Sequence, residues 1–269
     1  MADGEGVTVR FTALREDDGR VHIIPLTDEE MRIKGVGRIN PIRDLADSED
    51  GERLTIGQKS FLRLLPSLPE IRAGLRRRAQ IINPKDAGMI IAWMGVGSAD
   101  RVLEAGFGSG GLTVHLLNVM GAAGTLVSVE NRPEHAEVGR ENVERCLGCL
   151  AEVPTWVLLE GDVAEVAADG GGLSEVVDGL DSAILDLPEP WLAIAAVASH
   201  LRLGGRLACY CPSPEQLARS WQAVEEAGLT VDWCGELMER GWQRTKMGGV
   251  RPGNTPMGHT ALLLFAVRG

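Results

Sequence analysis

Arg101-Val-Leu-Glu-Ala-Gly-Phe-Gly-Ser-Gly-Gly111 is the stretch that decides the fold. Its first five residues read as a buried strand, its glycines as a tight turn, and Leu112 to Val119 as an apolar helix. Glycine admits positive φ and lets a backbone approach a ligand closely. A strand that runs through such a turn into a helix opens a ligand-binding α/β sheet.

Working outward, the same rhythm continues. Strands are expected at Thr125–Glu130, Thr155–Glu160, Ser182–Asp186 and Arg206–Cys211. Helices are expected at Ala87–Met94, His135–Arg145, Leu192–Leu201 and Pro214–Ala227. Alternating strands and helices predict a parallel sheet covered on both faces. Two last strands, near Asp232–Leu237 and Thr260–Arg268, have no long helix between them and predict an antiparallel edge hairpin. The predicted class is α/β: a Rossmann-like, mostly parallel seven-stranded sheet ending in that hairpin. Before it, Val7–Phe11, Val21–Ile24 and Ser60–Leu65 read as strands between the turns Asp17-Asp-Gly19 and Asp47–Gly51. They predict a small N-terminal β-domain over 1–70, with the larger domain over 71–269 and a connector at Pro66 and Pro69.

The glycines alone leave the cofactor open. Gly106, Gly108 and Gly111 satisfy G-x-G-x-x-G, and Glu130 stands about where a dinucleotide fold keeps its ribose acid, so NAD(P) competes with S-adenosylmethionine. Neighbouring acids favour S-adenosylmethionine. Glu104 precedes the first glycine by two residues, where a carboxylate meets the amino-acid end of the cofactor. Asp162 follows the third strand and suits an adenine amino group. Asp186-Leu-Pro-Glu-Pro-Trp191 ends the fourth and resembles the acid-proline-aromatic turn of enzymes that methylate nucleobase nitrogens. Each acid alone is a common turn cap, but all four stand at carboxyl ends of strands, where open α/β sheets bind ligands.

Composition sets the frame. The 269 residues are 44% hydrophobic and 24% charged, enough for a large core. The net charge of −11 excludes a protein coated in nucleic acid, so any RNA surface is local. Arg76, Arg77, Arg78, Lys85, Arg132, Arg240, Arg244, Lys246 and Arg251 are expected around the mouth of the site, although any one of them alone reads as a solvated charge. No apolar run reaches the roughly 20 residues of a membrane span, and the acidic start is not a secretory signal, so a cytoplasmic location is expected. Cys146 and Cys149 form a C-x-x-C without a matching second pair, and Cys209, Cys211 and Cys234 read as strand residues; no metal site is expected.

Four blocks carry a family resemblance: Gln80-Ile-Ile-Asn-Pro-Lys-Asp86, Val102–Gly110, Leu185–Trp191, and Arg240-Gly-Trp242 with Gly258-His-Thr-Ala261. In them the chain resembles the TrmI-like tRNA adenine-58 N1-methyltransferases, from about Arg76 to Val267. The resemblance implies a homotetramer that uses S-adenosylmethionine to methylate N1 of an adenine in the tRNA T-loop. It implies cofactor contacts from Gln80, Ile81, Glu104, Gly106, Gly108, Ser109, Gly110, Glu130, Asn131, Asp162, Val163 and Asp186. Asp186 is the implied catalytic acid, facing the target base. Substrate contacts are expected from Asn83, Lys85, Arg132, Pro188, Trp191, Arg240, Trp242 and His259, with Trp242 and His259 equally readable as packing residues of the hairpin. Asn83 departs from the family pattern, which carries an aromatic or histidine there; an asparagine cannot stack on a base. A methyltransferase for small molecules or proteins, and a cofactor-binding subunit without activity, are the competing readings.

Overall fold

The computed structural model describes residues 9–269. The N-terminal part contains β1 (Phe11–Glu16), β2 (Val21–Pro25), β3 (Met31–Ile33), β4 (Gly37–Ile39), α1 (Pro41–Asp44), β5 (Arg53–Ile56) and β6 (Lys59–Leu64). Four of these strands form an antiparallel sheet in the order β2-β1-β6-β5, and β3 and β4 pair with each other. Leu14, Ile24, Ile33, Ile39, Leu45 and Phe61 make a core of their own. The strand expected at Val7–Phe11 begins on residues outside the described ones. The chain pairs from Phe11 onward instead, because β2 and β6 flank Phe11–Glu16 on both sides.

α2 (Leu68–Ala73) occupies the expected connector, with Ser67 and Glu70 forming a capping box at its start. Its Ile71 packs into the core of the larger sheet. The chain then runs through α3 (Pro84–Met94), β7 (Arg101–Ala105), α4 (Thr113–Val119), β8 (Thr125–Glu130), α5 (Pro133–Leu147), β9 (Thr155–Glu160), α6 (Val163–Val166), α7 (Leu173–Val176) and β10 (Leu180–Leu185). A 3-10 turn (Pro190–Leu192) leads to α8 (Ile194–His200), β11 (Leu201–Cys211), α9 (Pro214–Glu226), β12 (Leu229–Gly235), β13 (Trp242–Arg244), β14 (Val250–Pro252) and β15 (Leu262–Arg268).

Seven strands form one sheet in the order β12-β15-β11-β10-β7-β8-β9. β9, β8, β7, β10 and β11 are mutually parallel, and β15 runs antiparallel to both β11 and β12. The predicted class is therefore the observed one. The final strand is not at the rim, however: it inserts between β11 and β12, and β12 takes the edge. Side chains alternate between faces along each strand. On β7, Leu103 and Ala105 enter the core beneath α6, α8 and α9, whereas Val102 enters the core beneath α3, α4 and α5. Among the described residues no helix is long and apolar enough to cross a membrane, all five cysteines are free, and no group of three or more acids, cysteines or histidines is placed to hold a metal.

Candidate active site

The strand order reverses between β7 and β10, and the crevice outside such a point is where open α/β sheets bind ligands. Backbone bonds past the ladders close this region tightly. The Asp186 amide donates to the Ala105 carbonyl at 2.7 Å, and the Phe107 amide to the Val129 carbonyl at 3.1 Å. Gly106 lies at the join with φ +72°, and a Cβ there would stand 2.0 Å from the Asp186 carbonyl oxygen. No other residue fits. Gly111 is constrained from the opposite side, since a Cβ would meet the Ile81 Cβ at 2.4 Å. That contact seats the connector against the glycine turn, and the Ser109 hydroxyl reinforces it by accepting from the amides of Arg78 and Ala79 at 3.0 and 2.9 Å.

A cleft of about 290 Å³ opens here. Gly106, Glu130, Asn131, Arg132, Asp162, Val163, Asp186 and Pro188 all line it. A narrower cavity adjoins it, bordered by Gln80, Ile81, Glu104, Gly108 and Ser109, with Gly106 and Asp186 common to both. Gly110 borders neither; with φ +73° it packs against α5 beside Gly139 and Val143.

The four acids sit in different environments. Glu130 is buried and held by protein donors: its carboxylate accepts from the Gly108 amide at 2.7 Å, the Arg132 amide at 3.1 Å and the Arg132 Nε at 2.8 Å. Burial alone would raise its pKa, but these donors outweigh burial and hold the carboxyl below its ordinary value. Glu104 is also buried, and its register partner on β8 is Ser128. One of its oxygens accepts from Thr113 Oγ1 at 2.7 Å and from Ser128 Oγ at 3.1 Å, and Ser128 in turn accepts from Trp156 Nε1. Desolvation dominates there and pushes Glu104 up to about 8. Asp162 caps α6 by accepting from the Ala164 amide at 2.8 Å and is exposed. The Asp186 carboxyl has no hydrogen-bond donor among the described residues; enclosure pushes it up to about 7, although Arg132 opposes the rise.

The residues expected to touch substrate separate into two groups. Arg132 and Pro188 border the cleft. The others lie elsewhere. Lys85 is buried, its ammonium 2.6 Å from Asp86 Oδ1 and 2.7 Å from Thr260 Oγ1, so it is not a surface cation. Asn83 caps α3 and directs its amide to the Met257 sulfur at 2.9 Å. Trp191 does not line the cleft; the Arg219 guanidinium lies 3.8 Å from its ring centroid. Arg240 and Trp242 are exposed on the connection between β12 and β15, where β13 and β14 form a hairpin not expected from the sequence. His259 joins Glu236 at 2.7 Å and the Pro212 carbonyl at 2.9 Å; that carbonyl and then Glu236 hold its pKa above the ordinary value.

Several residues of the site escaped sequence reasoning. Thr113 and Ser128 hold Glu104 from separate elements, and nothing local announces them. Asn142 is buried and bridges the connector and the glycine turn, donating to the carbonyls of Arg76 and Ser109 at 2.7 and 2.8 Å. A signal existed for it: it follows Gly139 by three residues on the buried face of α5, a polar group at a core position.

Comparison with known proteins agrees with this geometry. Residues 60–247 match the family model described as tRNA methyltransferase complex GCD14 subunit. The chain belongs to that family. Among curated relatives, the tRNA (adenine(57)-N(1)/adenine(58)-N(1))-methyltransferase TrmI of Methanocaldococcus jannaschii is 30% identical over 240 residues, covering 84% of this chain and 85% of the relative. The tRNA (adenine(58)-N(1))-methyltransferase TrmI of Thermus thermophilus is 31% identical over 201 residues, covering 74% and 73%. Among solved structures, an S-adenosylmethionine-dependent O-methyltransferase from Thermotoga maritima superposes with a TM-score of 0.76 at 25% identity, covering 97% of this chain and 93% of that one. The tRNA (m1A58) methyltransferase TrmI of Aquifex aeolicus shares the fold, with a TM-score of 0.68 at 20% identity and 97% coverage of both chains. The family and the fold are those of S-adenosylmethionine-dependent methyltransferases.

Proposed function

We propose that this protein transfers a methyl group from S-adenosylmethionine to N1 of an adenine in the T-loop of tRNA. One observation carries the reading beyond family membership: at the cleft, beside the glycine turn, Asp186 presents a carboxyl that no donor among the described residues engages. S-adenosylmethionine, when bound, supplies a methyl group already activated on a sulfonium. The site fits it: the Gly106 turn leaves no room for a side chain, and the acids Glu104, Glu130, Asp162 and Asp186 all border the two adjoining cavities. In this reading Glu130 holds the ribose hydroxyls, Asp162 the adenine amino group, and Glu104 the amino-acid end, with Gln80 and Ile81 closing the connector side.

Neutral adenine carries a lone pair at N1, so no proton must be removed before attack. The protein's main task is to hold N1 in line with the methyl group. The methylated base is cationic, and Asp186 stabilises that charge and accepts from the exocyclic amino group. An adenine folded into the T-loop must first be swung out into the cleft. Arg240, Arg244, Lys246 and Arg251 on the hairpin supply phosphate contacts, and Trp242 a stacking surface. In this reading the N-terminal sheet, Phe11 to Leu64, belongs to a separate domain bounded at residue 70, and the enzyme works as a cytoplasmic homotetramer.

A second reading, transfer to a small molecule, draws on the likeness to the Thermotoga maritima O-methyltransferase. Incubation with unmodified tRNA and labelled S-adenosylmethionine, followed by nucleoside mass spectrometry, separates the two. The tRNA reading requires 1-methyladenosine. Its absence with every tRNA offered, while the cofactor still binds, would favour the second.

A further inference from the structure

The connection between β12 and β15, residues 236–261, forms a long two-stranded arm. Its outer part pairs Trp242 with Pro252, Gln243 with Arg251 and Arg244 with Val250, and the Thr245 amide donates to the Gly249 carbonyl at 2.7 Å near the tip. Nearer the body, Gly253 donates to Gly241 at 2.7 Å, and Glu239 and Met257 exchange amide bonds at 3.0 and 2.7 Å. The outer part is exposed: Trp242 retains 67% of its surface and Met247 98%. An exposed segment with few buried apolar contacts opens locally at little cost unless its base is tied.

The base is tied by an ion pair closed with a hydroxyl. Lys85 Nζ lies 2.6 Å from Asp86 Oδ1 and 2.7 Å from Thr260 Oγ1, and Thr260 Oγ1 donates to Asp86 Oδ2 at 2.6 Å. The Asp86 side chain has no exposure and that of Lys85 has 6%. Burying two charges costs several kcal/mol per ion, and apolar replacements of similar volume are often as stable. Such a group is a poor source of stability and a precise source of geometry. Its position indicates what it orders. Lys85 and Asp86 stand in the first turn of α3, directly after the connector residues Gln80 and Ile81 that border the narrow cavity. Thr260 stands at the end of the arm, after His259, which is fixed to Pro212 beyond β11. Asn83 and Met257 make a second tie between the same two segments.

We propose that Lys85, Asp86 and Thr260 are positioning residues that latch the arm to the cofactor side of the site, so that the arm meets tRNA in one orientation. This assigns Lys85 to the fold of the site instead of to an RNA phosphate, and it rests on the tRNA reading above only for its kinetic consequence.

Thr260→Val and Thr260→Ser test the latch. Valine preserves the shape and leaves Lys85 and Asp86 paired with each other; serine preserves the hydroxyl. Deuterium exchange of residues 236–261 is measured in the full chain, with S-adenosylhomocysteine affinity and melting temperature. Steady-state kinetics on tRNA follow. Thr260→Val is expected to exchange faster at the arm base with unchanged exchange in β7 and β8, to bind S-adenosylhomocysteine as the wild type does, and to raise KM for tRNA about tenfold with little change in kcat. Thr260→Ser restores both readouts. Wild-type exchange and wild-type KM in Thr260→Val would overturn the latch, and so would a general loss of stability and cofactor affinity that serine fails to rescue. If the wild type makes no 1-methyladenosine, the tRNA reading falls and the exchange data alone decide the latch.

Discussion

The two banks of the cleft are built in opposite ways. On the β7–β8 side, Glu130 accepts from one amide of the glycine turn and from both the amide and the guanidinium of Arg132, and it is held ionised. On the β10 side, Asp186 has its amide tied to Ala105 while its carboxyl has no donor among the described residues and is pushed up to about 7. The first carboxylate is oriented by the fold before any ligand arrives. The second is complete only when something else enters the cleft. Under the proposed function, that difference gives the first bank the cofactor and the second the reacting base, and single substitutions on each bank test the division.

The largest effect belongs to the open bank. Asp186→Asn is expected to slow single-turnover methyl transfer about 10²–10³-fold while cofactor affinity stays near wild type, as measured by rapid quench and calorimetry. Next is the join between the banks. Gly106→Ala drives a Cβ into the Asp186 carbonyl at a positive φ, and an unfolding free energy lower by about 3 kcal/mol or more is expected from denaturant titration. Glu130→Gln, on the closed bank, is expected to weaken S-adenosylmethionine binding about tenfold or more, because a charged acceptor is lost from hydrogen bonds to the ligand.

Two pH dependences distinguish the acids further. Asp186 must be ionised to stabilise a cationic base, so the transfer rate is expected to rise with pH through about 7, and Asp186→Asn should flatten that limb. Glu104 acts on stability. Its folded pKa of about 8 exceeds the ordinary carboxyl value of 4.5, so between those values the folded state binds more protons than the unfolded one. Stability of the cofactor-free protein therefore falls as pH rises across that window and levels off above it, by at most about 1.4 kcal/mol per pH unit from this group. Chemical denaturation at a series of pH values should show that slope reduced in Glu104→Gln. The smallest effect is expected on the arm: Lys246→Gln should lower the salt dependence of tRNA binding by roughly one counterion, with affinity reduced only a few-fold.

The closed bank was the legible one. β7, β8 and β9 begin and end where the sequence places them, because apolar runs bounded by turn residues mark a parallel strand without help from the rest of the chain. Glu104, Glu130, Asp162 and Asp186 could be placed around one site because each follows or ends such a strand. The open side was less legible. The hairpin segments Trp242–Arg244 and Val250–Pro252 are three residues each and largely exposed, so they have no buried face to alternate. Lys85 reads as a surface cation until Asp86 and Thr260 are brought around it, Thr260 from 175 residues away. Trp191 reads as a stacking residue until α9 places Arg219 over its ring. The insertion of β15 between β11 and β12 is likewise a long-range pairing that no local pattern encodes.

The most direct test of the two-bank account is a paired measurement on Asp186→Asn and the wild type: S-adenosylmethionine affinity by calorimetry, and single-turnover formation of 1-methyladenosine in unmodified tRNA. Equal affinity and a rate about 10²–10³-fold lower are expected in the variant. A variant that forms 1-methyladenosine at the wild-type rate would contradict it.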